Sequence, residues 1–508
     1  MTSRHIFALG LFLFSTFSFA KAQSPAQNSP GPSRPIPPPL SGRDPQATGV
    51  VVTQGTTNTG GGNSVNTITT SVNVTGPFNG STPNGALVAG VMPLTLENAL
   101  KLGLRSNLGV VSQSSAVLQA QGQRLVARSE LLPNLNTVVS ESFERVNLRT
   151  QGVETSAFPE AVTFNFYDAR AARLQQTVFD LVKIENLHSA TQNVKSNFAL
   201  ARNARDLVVL AVGGAYIQLI ATKARISAAQ AQVATSQAIF QQASDRFAIG
   251  LAARIDVTRS QVQLQTEQQR LRSLQADLAT QDLRLARIIG LPLGQPFDVT
   301  EDYPFSPVSD FTVDTAMQRA LKERPDLHAA DAAVKAAEAS VKAAHAERLP
   351  SLTVAADFGA AGITPTHEST GVYSAVATLI IPLYEGGRIH GDVDQASAAL
   401  RQRKAEFEDL RGQVDEDIRQ AFINLDSAAD QVNVAKSNVE LARETLTQSQ
   451  DRFSVGVADT VELVQAQQAV VQADDDFITA VFEHNLAKVS LARAIGGAEQ
   501  ILPQLLRK

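Results

Sequence analysis

Between Leu425 and Phe453 the large apolar side chains fall at Leu425, Val432, Val439, Leu446 and Phe453, a strict seven-residue step. Three positions after each of the first four stand the small residues Ala428, Ala435, Ala442 and Ser449. A seven-residue period means 3.5 residues per turn, so the pattern predicts a long helix that supercoils left-handed against a neighbour. The small row lets that neighbour come close. Both rows recur upstream, as Leu219, Ile226, Val233, Phe240 and Phe247 beside Thr222, Ala229, Ser236 and Ala243. The remaining faces are rich in Gln, Ser, Asp and Arg, so each helix buries a stripe and not its whole circumference. From about Arg388 to Phe453 no proline interrupts the second copy. At 1.5 Å per residue that run is on the order of 100 Å, the dimension of a tube or a rod.

Ahead of each long helix the period changes to two. In the second copy Leu352, Val354, Ala356 and Phe358 alternate with Thr353, Ala355, Asp357 and Gly359, and a turn-rich piece, ITPTHESTG, leads to VYSAVATLIIP, ending at Pro382. This predicts a hairpin of strands of about ten residues, the length a tilted bilayer-spanning strand needs. The first copy offers LPNLNTVVSESFERV and ARAARLQQTVFD, where alternation is poor. There Glu141, Glu144, Arg170 and Arg173 make a weak membrane hairpin by itself. Four strands do not close a barrel, and open edges in lipid leave backbone groups unpaired at several kcal/mol each. Strands of this kind enter a membrane only if the barrel is shared between chains.

The repetition is systematic. RFAIGLAARIDVTRSQ from Arg246 matches RFSVGVADTVELVQAQ from Arg452, an offset of 206 positions, and the same offset pairs AYIQL at Ala215 with AFINL at Ala421 and LARIIG at Leu285 with LARAIG at Leu491. The chain therefore reads as two copies of a helix, hairpin, long helix, helix unit. In each copy Arg-Phe-x-x-Gly interrupts a helical run, and Gly250 and Gly456 suit a reversal because glycine accepts positive φ. The corner before the long helix reads YEGGRIHGD in the second copy but FDLVKIENL in the first, so the first corner turns without Gly386 and Gly387 equivalents.

Composition narrows the classes. The 508 residues carry a formal charge of −5, of the wrong sign for nucleic acid as main partner. The absence of Cys rules out disulfides, thiolate ligands and an N-terminal lipid. MTSRHIFALGLFLFSTFSFAKA has the charged, apolar, A-x-A order of a secretory signal peptide, with cleavage after Ala22. From Gln23 to about Val91 the Pro-rich and then Thr/Asn/Gly-rich chain reads as a flexible extension. His328 and Asp331 come nearest to a ligand spacing but read as a solvated pair. Asp474, Asp475 and Asp476 read as a solvated face. With no nucleophile elbow or phosphate loop, neither an enzyme nor a cofactor site is expected.

In RPDLHAADAAVKAAEASVKAAHAERLPSL from Arg324, IPLYEGGRI from Ile381, RFSVGVADTVELVQAQ from Arg452, and the upstream partners LPNL at Leu132 and RFAIG at Arg246, the chain resembles the TolC-like family of outer membrane efflux proteins. The likeness spans roughly Leu94 to Gly496. It implies a mainly α fold with membrane β-strands, built from internally duplicated helix–β-hairpin–long helix–helix units. Three chains would form a 12-stranded β-barrel in the outer membrane and a 12-helix periplasmic α-barrel. The segments are then 1–22 signal peptide, 23–92 low-complexity extension, 93–292 first repeat, 293–315 linker, 316–498 second repeat and 499–508 tail.

The function so implied is a passive exit duct for efflux or type I secretion, working as a homotrimer in outer membrane lipid with a periplasmic adaptor (membrane fusion protein) and an inner membrane pump. The heptads alone would equally support a periplasmic helical rod without a pore. By the same resemblance Arg246, Phe247 and Gly250, with Arg452, Phe453 and Gly456, form two periplasmic tips where an adaptor docks. Asp256 and Glu462 lie at the aperture, where carboxylate rings attract cations. Asp256 has Arg254 and Arg259 as alternative partners, and Gln465 stands where some relatives have an acid. Phe453 and Ala458 occupy the positions of a Tyr and an Arg that latch the tip in some relatives, so closure needs other contacts, such as Arg254 with Asp459.

Overall fold

A computed structural model of the chain describes residues 49–55, 68–74, 76–83, 85–151, 160–308, 312–364, 369–455 and 457–507. The signal-peptide segment and Gly456 lie outside the described residues. Strands β1 (Gly49–Gly55), β2 (Ile68–Val74) and β3 (Met92–Leu94) precede α1 (Leu96–Ser106) and α2 (Leu108–Ser129). The hairpin β4 (Asn134–Asn147) and β5 (Ala161–Phe179) leads into α3 (Leu181–Ala248) and α4 (Arg254–Ile289). After β6 (Phe297–Val299) the order repeats as α5 (Val313–Glu323), α6 (Pro325–Ala346), β7 (Ser351–Gly362), β8 (Ser369–Ile380), α7 (Arg388–Ser454) and α8 (Thr460–Ile495), and α9 (Ala498–Arg507) closes the chain. Corresponding elements match in length: 68 and 67 residues for α3 and α7, and 36 each for α4 and α8.

The two long helices start by different chemistry. The α7 corner turns on Gly386 and Gly387, at φ 61° and 88°, whereas in the first copy the Asp180 carboxylate accepts the Lys183 amide and caps α3. The predicted heptad row of α7 is buried throughout, from Leu425 to Phe453. In α3 the small row at Thr222, Ala229, Ser236 and Ala243 is buried, while Val233 and Phe240 are half-buried and Phe247 is 45% exposed.

Around the waist lies the main core. Leu207 to Val212 and Tyr216 of α3 pack with Leu285 and Ile289 of α4, Val414 and Ile418 of α7, and Leu486, Val489 and Ile495 of α8. One window of α3 is apolar enough to cross a membrane, yet 72% of it is buried in this core. The parallel pair β3 and β6, in register Met92 with Phe297, ties the two halves together here. The buried Arg324 grips both carboxylate oxygens of Asp326 and reaches Asp417 at 2.9 Å, and Arg493 lies 3.4 Å from Asp326. Although burial opposes its charge, these guanidinium groups and the Leu327 amide hold the Asp326 carboxyl well below the usual range.

One expectation from composition is corrected. The extension does not stay loose up to residue 92. Val74 and Phe78 are buried in the waist core, the Asn107 side chain donates to Phe78 O at 2.6 Å, and the Leu108 amide donates to Gly80 O at 2.9 Å. A chain poor in apolar residues orders here because the start of α2 offers backbone donors and a slot for one aromatic ring. The tail is helical. Ile501, Leu502, Leu505 and Leu506 form the buried stripe of α9, whose first amide donates to the Asp206 carboxylate at 3.0 Å.

The linker before α5 is held by two basic groups of α8 that have no carboxylate partner among the described residues. His484 is fully buried, edge-on to Phe305 with ring centroids 4.7 Å apart, and Lys488 one turn on is equally buried, with its Nζ 3.4 Å from Ser306 Oγ. Burial, and then the neighbouring lysine charge, pushes the imidazole down to about 4. Burial also brings Lys488 down to about 8. The unfolded chain binds a proton more readily than the folded imidazole, so stability is intact above the free value of 6.5 and falls as pH drops from there towards about 4. Thermal unfolding of the purified protein across that range should show this loss. His484→Phe, which keeps the ring packing, should make the slope shallower.

Candidate functional site

Each tip is a helix end, and the two share one closing backbone bond. After α3 the Gly250 amide donates to Phe247 O at 3.0 Å and the Leu251 amide to Arg246 O at 2.8 Å, with Gly250 at φ 75°. That is a Schellman reversal, in which glycine at the left-handed position lets two orphan carbonyls be satisfied. After α7 the Val457 amide donates to Arg452 O at 2.9 Å in the same place. Arg-Phe-x-x-Gly therefore encodes a sharp helix stop in both copies.

Side chains then join the first tip to the second. Arg246 donates to Phe453 O at 2.7 Å and to Ser454 O at 2.6 Å, and its guanidinium carbon lies 4.8 Å from the centroid of the Phe453 ring. A cation on the terminal carbonyls of α7 meets the negative end of that helix, and the ring face adds to the attraction. Beneath it Phe453 packs with Ile239 of α3, Leu446 of α7, and Leu463, Ala466 and Val470 of α8. Sequence reading missed this Arg246 contact, since nothing in the repeat distinguishes Arg246 from Arg452.

The aperture candidates separate. Asp256 is tied down: one oxygen accepts Thr460 Oγ1 at 2.8 Å and the other the Ala253 amide at 3.3 Å. Glu462 is partly exposed and pairs with Arg452 Nε at 3.4 Å, while Gln465 is exposed. Arg254 and Asp459 are not brought together within the chain. The Asp459 carboxylate instead caps α8 by accepting the Glu462 amide at 3.0 Å. The aspartate run is not a free solvated face either, because Asp475 pairs with Arg225 at 2.9 Å and Asp474 with Arg443 at 2.9 Å. His328 and Asp331 part company, the first on Lys322 O and the second on Lys335.

At the other end the four long strands form one antiparallel sheet in the order β4-β5-β7-β8, with β4 and β8 as edges. The register divides its faces. Leu352, Val354, Ala356 and Phe358 of β7 stand opposite Leu379, Ala377, Ala375 and Tyr373 of β8. Leu174 and Ala172 of β5 and Leu135 and Val139 of β4 continue this apolar face. It is bare, with Phe358 63% and Tyr373 81% exposed. The charges that weakened the first hairpin fall mostly on the other face. There Arg170 bonds Asp168 and Asp357, and Ser374 donates to Asp357. Of the four, only Glu141, opposite Tyr167, sits on the apolar side.

The helices below follow the strand order. The upper staves run α2–α3–α6–α7 and the lower ones α4–α3–α8–α7, so α2 or α4 lies at one edge and α7 at the other. Exposed apolar side chains mark both edges, Leu118 and Leu125 on α2 and Val434 and Leu441 on α7.

The family model described as outer membrane efflux protein matches residues 101–291 and 316–497. The chain is similar to the pyoverdine export outer membrane protein OpmQ of Pseudomonas putida, at 24% identity over 80% of this chain and 86% of the relative. It is also similar to the alkaline protease secretion protein AprF of Pseudomonas aeruginosa, at 23% identity over 77% of this chain and 84% of the relative. Among solved structures it superposes on the outer membrane protein VceC of Vibrio cholerae with a TM-score of 0.69 and 18% identity, over 79% of this chain and 96% of that one.

Replacing the residue that joins the tips tests the geometry. Arg246→Ala removes both bonds to the α7 carbonyls and uncovers the Phe453 ring, so backbone amides at the start of α8 should exchange faster with deuterated solvent than in the parent protein. Arg246→Lys should fall between, because an ammonium does not present the planar fork that spans two acceptors while stacking on a ring.

Proposed function

Because the chain belongs to the outer membrane efflux protein family, we propose that it is the passive exit duct of a tripartite efflux or type I secretion system. It sits in the outer membrane and reaches through the periplasm. The observation that carries this reading is the four-stranded sheet, bare and apolar on one face and polar on the other, continuous with helices of 68 and 67 residues. A soluble rod has no use for such a sheet. A duct uses the apolar face against lipid and the polar face against water.

Three copies of the four strands make a closed barrel of twelve. In that homotrimer β8 of one chain pairs with β4 of the next, and α7 packs beside the next chain's α2 above and α4 below. The two Arg-Phe-x-x-Gly tips, including Gly456, form the periplasmic end. Phe247, Ile249, Leu251, Val455 and Val457, all exposed there, offer the apolar surface on which helical hairpins of an adaptor dock, linking the duct to an inner membrane pump. Residues 1–22 serve as the export signal. Pyoverdine and alkaline protease appear in the relatives' names, and cargo of such different size is consistent with selection by the pump and not by the duct wall.

Glu462 contributes the acidic ring of the aperture, with Gln465 one turn further in and Asp256 held back by Thr460. In planar bilayers the detergent-purified trimer should give discrete, cation-selective steps. Glu462→Ala, which leaves Arg452 as the nearest charge, should shift selectivity towards anions, and Arg452→Ala should sharpen the preference for cations. Unchanged selectivity in both variants would place the aperture elsewhere. A folded trimer without steps would favour the rod.

A further inference from the structure

In the lower staves, between the waist and the tips, the seam where α3, α4 and α8 meet is polar although it is deeply buried. Gln232 and Ser236 of α3, Gln263 and Glu267 of α4, and Gln467 of α8 are all buried there. Helix register brings Ser236, Glu267 and Gln467 to one level. Thr222 Oγ1 donates to Gln281 Oε1 at 2.9 Å, and fourteen residues along each helix from that bond, two heptads on the same face, stand Ser236 and Glu267. From the third helix the Gln467 side-chain amide donates to Ser236 Oγ.

The hydrogen bonds of this seam do not balance. Gln263 Nε2 donates to Glu267 Oε1 at 2.9 Å, but Glu267 Oε2, Gln467 Oε1 and Gln232 Oε1 are buried with no hydrogen-bond partner among the described residues. A buried acceptor left without a donor is costly, and a charged one more so. One added proton, on Glu267 Oε2, turns an orphan acceptor into a donor and gives a second orphan its partner.

No base answers the carboxylate. α3 has no ionisable side chain between Arg225 and Asp245, and α8 has none between Glu462 and Asp474. Arg225 pairs with Asp475 at 2.9 Å, and Arg270, one turn along α4 from Glu267, lies 3.8 Å from the same carboxylate. Asp474 is taken by Arg443 of α7 at 2.9 Å. Burial therefore pushes the Glu267 carboxyl above its ordinary value, against the smaller opposing pull of Arg270 and the Gln263 amide. The helix unit itself needs no acid here, because the offset of 206 positions puts Ala473, also buried, at the equivalent point of α8.

We propose that this seam is a proton site, in which Glu267 is held as the neutral acid and its O–H donates to the side-chain oxygen of Gln467, closing α3, α4 and α8 around one titratable group. The site lies within a single chain and goes beyond the duct reading without depending on it. The closed seam binds the proton more tightly than the opened one. Its stability is complete below the free value of 4.5 and declines as pH rises through the higher folded value. That is opposite in sign to the effect of His484, so acid firms the staves beneath a waist that it weakens.

Hydrogen exchange of the full-length purified protein, corrected for the intrinsic pH dependence of amide exchange, is followed in segments 260–270 and 463–473 from the free value of 4.5 up to mildly alkaline pH. In the parent, protection should fall by about tenfold per pH unit above the free value and level off beyond the folded one, as for a single proton bound only by the closed seam. Glu267→Gln keeps the shape and a donor towards Gln467 but does not ionise, and Glu267→Ala takes the side chain of the second copy. Protection in both variants should not change with pH. A parent whose protection in these segments is independent of pH, or a dependence that persists in both variants, would overturn the proposal. Amides around His484, where the change runs the other way, separate this local effect from the response of the waist.

Discussion

Unpaired backbone at the edges of a four-stranded sheet is the constraint on which this molecule turns. Each edge group left in hydrocarbon costs several kcal/mol, so β4 and β8 are acceptable in a membrane only when another chain supplies the missing ladder. That requirement passes down into the helices, because strand and stave follow one another in the same order. The edges of the helical wall carry exposed Leu118, Leu125, Val434 and Leu441, apolar groups that a self-sufficient chain would cover. The proposed trimer satisfies sheet and helices with one rotation.

The repeated sequence gives two halves with elements of nearly matching length, and small departures distinguish them. Asp180 caps one long helix and a glycine pair turns into the other. Thr460 on Asp256 is a neutral donor to a carboxylate, whereas the equivalent positions hold Arg254 and Glu462. Junctions inside a chain are thus built to persist, with Phe453 sealed and Arg246 making two bonds to helix-terminal carbonyls.

The waist is the largest packed region among the described residues. Its core gathers α3, α4, α7, α8 and α9 with the parallel β3 and β6 pair, and buries the Arg324, Asp326 and Arg493 cluster. Removing one partner of such a cluster leaves a buried charge without compensation, at roughly 3–5 kcal/mol. The tips at the far end have a core of only a few side chains. Apolar burial, and the stability it supplies, is concentrated at the waist and not at the tips.

Local pattern was enough for the elements and their repetition. The seven-residue rows marked α3 and α7, period-two alternation marked β7 and β8, and Arg-Phe-x-x-Gly marked the ends of both long helices, because each depends on residues within one or two turns of each other. Other features were decided only by distant parts of the chain meeting. Phe78 became core because the start of α2 offered it a slot, and α9 became a helix on the waist and not a tail. Arg170 found a partner because the register placed Asp357 beside it on the polar face. Arg246 and Arg452 stand in the same motif, yet one crosses to the other tip and one stays at its own. Sequence determined that both tips would turn. Only the tertiary structure decided which arginine has a neighbour within reach, since that depends on which helix packs alongside and not on the residues next in line.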